Sequence, residues 1–289
     1  MVTLQNEELV IAIAHKGAEL VELVSKKTGK PYLWYGDKKY WGRRSPVLFP
    51  LVGSLKNKKY RYDGKEYEMN QHGFARDMDF TVISTTENEI WFAVEDNEET
   101  KKMYPFSFRL EIGYRLNGME VDVMWRVINT DNKALHFSIG AHPAFLVPKN
   151  REECFLHLQP VQPLTCTGIV QGLAEGQHAV YPVIDTADGY VQLTKDIFDL
   201  DALVFENSQV TEVGLATPDK KDYVTVRFDA PVVGIWAPSA DAPFVCIEPW
   251  YGRCDGLNFA GTLEEREWGN TLQVGEVFET SYTIRVCEE

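Results

Sequence analysis

The sequence lacks most of the short signatures that mark common enzyme classes. It has no glycine-rich phosphate loop, no Gly-x-Ser-x-Gly nucleophile elbow and no His-Glu-x-x-His metal pair. Its cysteines, Cys154, Cys166, Cys246, Cys254 and Cys287, are odd in number and include no C-x-x-C spacing. A disulfide framework and a structural zinc site are therefore not expected, and a reducing cytoplasm is. Basic charge is also scarce: the net charge is −14. That argues against a nucleic-acid partner, which would call for a basic stripe. The one dense basic stretch, Lys56, Lys58, Lys59 and Arg61, leads into a hairpin and reads as a solvated edge strand. No apolar run is long enough for a membrane helix. The stretch Leu9 to Ala14 is short, and Glu7 and Glu8 precede it where an export signal would be basic. No membrane association is expected.

What is present is period-two patterning. Phe106, Phe108, Leu110, Ile112 and Tyr114 alternate with more polar neighbours, as do Met119, Val121, Val123, Trp125 and Val127. Asn117-Gly118 between them is a hairpin signal, because both turn positions require positive φ. Asp63-Gly64 marks a second hairpin, and Glu87-Asn88 a third. Helical signals are confined to Glu98–Tyr104 and to Thr262–Trp268, where Thr262 and Glu265 have capping-box spacing. Neither covers a sheet, and no alternation of strands with long helices suggests a parallel α/β fold. Residues 1–289, with 44% hydrophobic and 25% charged residues, are expected to form one all-β domain, a large antiparallel β-sandwich with few short helices. Residues 148–163 read as a long excursion between strands.

Three polar landmarks interrupt this apolar background. In Leu135 to His142 the even positions His136, Ser138, Gly140 and His142 share one strand face, and Pro143 ends the strand. Glycine there marks close approach of a ligand or another backbone. His136 reads equally as a residue of an outward-facing polar surface. Glu248 lies in Phe244 to Tyr251, a run apolar on both faces. A carboxylate there is either paired, with Arg253 as the nearest partner in sequence, or has a raised pKa suited to a general base. His72 in Gln71-His72-Gly73-Phe74-Ala75-Arg76 reads from spacing alone as a loop histidine, and Asp201 as a turn or cap residue. Trp41, Trp236, Trp250 and Tyr251 could wall a sugar cleft or belong to the core.

Taken in order, His72-Gly73, Gly140-Ala141-His142-Pro143-Ala144-Phe145 and Glu248-Pro249-Trp250 resemble the aldose 1-epimerase (galactose mutarotase-like) superfamily. The segment Pro46 to Gly53 and the hairpin Tyr60 to Tyr67 look like its bacterial branch, often found near lactose-utilisation enzymes. The resemblance implies a sugar cleft across a concave sheet and a reaction needing neither metal nor organic cofactor. The expected activity is interconversion of the α and β anomers of a free hexose. Glu248 would be the general base, His142 the general acid, His72 the residue that holds and polarises the sugar, and Asp201 a ligand of sugar hydroxyls. Unperturbed Glu and His titrate near about 4.3 and 6.5. An ionised Glu248 beside a charged His142 at pH 7 therefore calls for a group that raises the histidine pKa.

One departure concerns the substrate. An Asn-Arg pair precedes the first hairpin in well-studied galactose mutarotases, but Gly53-Ser54 stands here. Arg43, Arg44 and Arg76 are the candidate replacements. The His-Gly-Phe-Ala-Arg segment also resembles hexose-6-phosphate epimerases, so Arg76 with Arg44 could hold a phosphate. A hexose-6-phosphate 1-epimerase and a non-catalytic sugar-binding or regulatory protein are the alternative readings.

Overall fold

The computed structural model describes residues 1–175, 184 and 186–288. The expected antiparallel sheets are present. A nine-stranded sheet runs, in spatial order, Tyr190–Gln192, Phe155–Gln159, Glu212–Ala216, Asp222–Phe228, Val277–Val286, Glu120–Asn129, Phe108–Asn117, Glu89–Glu95 and Thr81–Thr85. A six-stranded sheet is centred on Phe244–Tyr251. Val232–Trp236 pairs along one edge of that strand, and Ile139–Gly140 and Ala144–Leu146 along the other. All three predicted hairpins form. Asn117-Gly118 joins strands in register from Phe108↔Asn129 to Asn117↔Glu120, Asp63-Gly64 joins Lys59–Tyr62 to Lys65–Glu68, and Thr81–Thr85 returns as Glu89–Glu95.

The helices are short, as their sequences imply. Glu98–Met103 is capped by the Asn97 side chain, and Leu263–Glu265 is a single 3-10 turn carrying the Thr262/Glu265 capping box. The segment 148–163 differs from expectation. It contains Phe155–Gln159, whose Leu156 and Leu158 face the core and whose ladder to Glu212–Ala216 lies inside the large sheet.

Side-chain parity on the central strand positions the site. Val245 and Ile247 point into the main core with Val233, Ile235, Phe108 and Val123. The alternate residues Phe244, Cys246, Glu248 and Trp250 therefore project from the opposite face. There Phe244 and Cys246 pack with Trp34 and Ala144, and Trp250 packs with Val232 and Leu48. The indole of Trp250 lies across two strand glycines. A Cβ at Gly234 would come within 2.4 Å of the ring, and one at Gly140 within 2.6 Å. The close approach foreseen at Gly140 is thus made by a side chain of the same sheet.

Candidate active site

Glu248 stands on the projecting face of its strand and is 2% exposed. Its neighbour on one side is Gly234. On the other, the registers Gly140↔Trp250 and Ala144↔Cys246 put His142 directly opposite. Between those short strands the chain stays attached through Ala141 N–H to the Pro249 carbonyl (3.0 Å) and Ile247 N–H to the Pro143 carbonyl (3.1 Å). The result is a cross-strand pair with His142 Nε2 3.3 Å from Glu248 Oε2. Arg253, the sequence candidate for pairing with Glu248, is engaged elsewhere, with Glu206 and Glu267.

His142 is held by aromatic rings. Trp41 stacks on it with centroids 4.6 Å apart, and Trp236 and His72 meet it edge-on at 5.8 and 5.6 Å. His72 sits in a tight turn at φ +67°. Gly73 beside it has φ +69°, and a Cβ there would fall 2.3 Å from the Phe49 carbonyl oxygen, so only glycine lets the turn dock. The backbone N–H of Gly53 donates to His72 Nδ1 at 3.1 Å. Nδ1 is therefore the acceptor, and in the neutral ring the proton sits on Nε2.

His72, His142, Glu248, Asp201, Arg76 and Trp250 all line one cavity of about 300 Å³, together with Trp41 and Trp236. That volume is at the lower end of small-molecule sites, about 300–1,000 Å³. Asp201 is exposed, with φ +81° and Oδ1 accepting the Ala202 N–H. Arg76 donates from Nη2 to the Gln71 carbonyl, while its buried Nε has no partner.

Arg44 does not line this cavity. Its guanidinium donates from Nη1 to the Val21 carbonyl at 2.7 Å, and Glu19 accepts its backbone N–H. Arg43 pairs with Asp77. His136 is also elsewhere, hydrogen-bonded to Thr271 and packed near Tyr62 and Phe106. The continuous face predicted for His136 to His142 is divided, because Leu135–Phe137 pairs with Asn270–Leu272 and Ile139–Gly140 with Phe244–Tyr251. Tyr251 turns away and hydrogen-bonds Thr280. Gln71, Gly53, Ile169, Gly172, Ala202 and Cys254 complete the lining, and no local sequence signal distinguishes them. Trp41 and Trp236 were candidates for either wall or core, and both line the cavity.

The electrostatics differ from the sequence expectation. Burial pushes the Glu248 carboxyl well above the ordinary carboxylate range, and the charge of Asp201 acts in the same direction while the Trp250 indole opposes it. Burial pulls His142 down to about 3, and the positive charges of Arg76 and Arg43 add to this. Burial also lowers His72 well below the usual histidine value, followed by the influence of His142 and the two arginines. The anticipated group that raises His142 is not what surrounds it. Burial favours an uncharged pair, a carboxylic acid facing a neutral imidazole. Glu248 Oε2, His142 Nδ1 and Trp250 Nε1 are all buried without a hydrogen-bond partner. Buried polar atoms are normally hydrogen-bonded, so three orphans in one place call for a polar partner.

An antiparallel β-sandwich thus carries a concavity walled by aromatic rings, with a carboxyl–imidazole pair among its lining residues. The chain belongs to the aldose 1-epimerase family, whose family model matches residues 1–285. It is 28% identical over 298 residues to the plasmid and chromosomal forms of protein LacX from Lactococcus lactis subsp. lactis, covering 99% of each chain. Among solved structures, it is similar to a galactose mutarotase related enzyme from Lactobacillus acidophilus, with 33% identity, a TM-score of 0.93 and coverage of 99% and 97% of the two chains. A galactose mutarotase-like protein from Lactobacillus casei ATCC 334 gives 32% identity, a TM-score of 0.91 and coverage of 99% and 100%. No helix among the described residues is long and apolar enough to cross a membrane.

Proposed function

We propose that this protein is an aldose 1-epimerase acting on a free hexose, with Glu248 and His142 as its acid–base pair. The observation carrying this reading is the 3.3 Å approach of His142 Nε2 to Glu248 Oε2 at the floor of an aromatic-walled cavity. In the reactive form Glu248 is ionised and His142 protonated. Glu248 takes the proton from the anomeric O1 hydroxyl while His142 gives one to the ring oxygen O5. The C1–O5 bond breaks and C1 becomes an aldehyde. Rotation about C1–C2 and reclosure with the proton transfers reversed gives the other anomer. No redox partner is needed, and protons are conserved.

His72 presents Nε2–H to a sugar oxygen, because its Nδ1 is occupied by Gly53. Asp201 accepts from hydroxyls at the rim, and Trp250, Trp41 and Trp236 pack against the C–H faces of the ring. A reducing cytoplasm suits the five unpaired cysteines. The test is polarimetry on fresh α-glucose and α-galactose. Wild-type protein accelerates equilibration, and Glu248→Gln lowers kcat by about 10²–10⁴, the usual contribution of a positioned acid or base. Equal rates for the two proteins overturn the assignment, and sugar binding without acceleration identifies a binding protein instead.

One observation favours a second reading, a hexose 6-phosphate substrate: the buried Nε of Arg76 lacks a partner, and a guanidinium fork matches phosphate geometry. Against it, Arg44 is anchored to Val21. Comparing kcat/KM for glucose, galactose and their 6-phosphates separates the two. A preference for the phosphates that Arg76→Ala abolishes would establish the second.

A further inference from the structure

The acid–base pair has a third neighbour that the epimerase reading does not use. Cys246 precedes Glu248 by two residues, so its thiol projects from the same face of the strand. It stands opposite Ala144, two residues from His142. A ring nitrogen of His142, the Cys246 sulfur and a carboxylate oxygen of Glu248 all lie within 4.8 Å of one another. All three side chains are buried, with Cys246 fully so. Glu248 Oε2, 2% exposed as a residue, and His142 Nδ1 have no hydrogen-bond partner. Nitrogen, thiolate and carboxylate are the donor types of three-ligand zinc sites, with metal–ligand distances of about 2.0–2.3 Å. Calcium and magnesium are disfavoured, because they take oxygen ligands almost exclusively. Holding one ion requires the three donors to close toward one centre, and two of them, His142 and Glu248, line the cavity.

We propose that His142, Cys246 and Glu248 form an inhibitory site for a thiophilic divalent cation, Zn²⁺ being the fitting ion. Binding converts the Cys246 thiol to thiolate and releases its proton to solvent. Water takes the fourth position. Zinc and the reacting sugar then compete for Glu248 and His142. The binding follows from the donor cluster alone, whereas the inhibition rests on the epimerase reading.

The reduced, metal-free whole protein is titrated with Co²⁺ in the absence of sugar, and the thiolate-to-cobalt charge-transfer band is followed. Wild-type protein and Cys287→Ser show the band at one equivalent, and Zn²⁺ displaces it. Cys246→Ser lacks the band and binds Zn²⁺ at least about tenfold more weakly, since loss even of a group supporting a metal ligand costs about 10–100-fold. Glu248→Gln, which keeps the thiol, retains sulfur-to-metal absorption with weakened affinity and covers the case in which Cys246→Ser fails to fold. No band in wild-type protein, or an undiminished band in folded Cys246→Ser, overturns the site. In polarimetry, zinc raises the apparent KM for sugar and a chelator restores it. A cobalt band without any sugar turnover by metal-free protein refutes the epimerase reading and leaves the metal site standing.

Discussion

Replacing His142 by glutamine should make the protein progressively more acid-tolerant relative to wild type. The native imidazole is held at about 3 by burial, whereas in the unfolded chain it titrates near about 6.5. Between these values the unfolded state binds a proton that the native state refuses, so stability falls as pH falls. Linkage gives a difference of about 2 kcal/mol accumulated between pH 7 and pH 5, with a limiting slope of about 1.4 kcal/mol per pH unit. Carried down to pH 3 it would reach roughly 4 kcal/mol. Glutamine keeps the shape and polarity but does not titrate. Urea unfolding of wild type and His142→Gln at pH 7, 6 and 5 measures the difference, and imidazole nitrogen shifts give the native titration directly. Parallel stabilities across that range, or a native His142 titrating near 6.5, would refute the claim that burial dominates this site.

Other outcomes follow from the same geometry. For His72→Ala, loss of a hydrogen bond to a charge-developing oxygen, worth about 1.5–3 kcal/mol, should lower kcat/KM for anomer exchange by about 10–150-fold; an unchanged value returns His72 to a structural role. Gly234→Ala forces a methyl within 2.4 Å of Trp250, and the overpacking should cost about 1–3 kcal/mol, read as a lower Tm with altered tryptophan emission. The pH–rate profile should carry no acid limb near 6.5. His142 gains a further proton only near about 3, while rising pH removes the shared proton as Glu248 passes its raised value. An acid limb centred near 6.5 contradicts this.

Local signals in the sequence reached some parts of this molecule and not others. The hairpins were legible because alternation and Asn-Gly or Asp-Gly turns lie within a few residues of each other. The burial of Glu248 was legible because it lies in an eight-residue apolar strand, although the sequence left a structural pairing with Arg253 open. The partner of that carboxylate was not, since the registers that bring His142 to Glu248 join segments about a hundred residues apart. The strand Phe155–Gln159 escaped notice because only Leu156 and Leu158 mark its inner face. Parity failed across His136 to His142 because the chain changes sheets near Ser138, which alternation cannot register. Arg44 was plausible by composition, but its anchor at Val21 depends on the packing of the first strands. The tautomer of His72 depends on a Gly53 amide nineteen residues away, and no motif encodes it.

The low pKa of His142 opposes its proposed role as an acid only in where one proton rests, not in how many there are. Carboxylic acid with neutral imidazole and carboxylate with imidazolium are the same one-proton pair, separated by transfer across 3.3 Å. In the free protein burial penalises two charges, so the neutral form is favoured. On the proposed reading, an entering sugar supplies hydroxyls to Glu248 Oε2 and His142 Nδ1, which are buried without partners. Those bonds stabilise the charged form more than the neutral one, because bonds to ions are about twice as strong. Substrate thus arms the pair by solvating it. On the proposed reading, the acid form of His142 becomes favoured when a sugar occupies the cavity beside it.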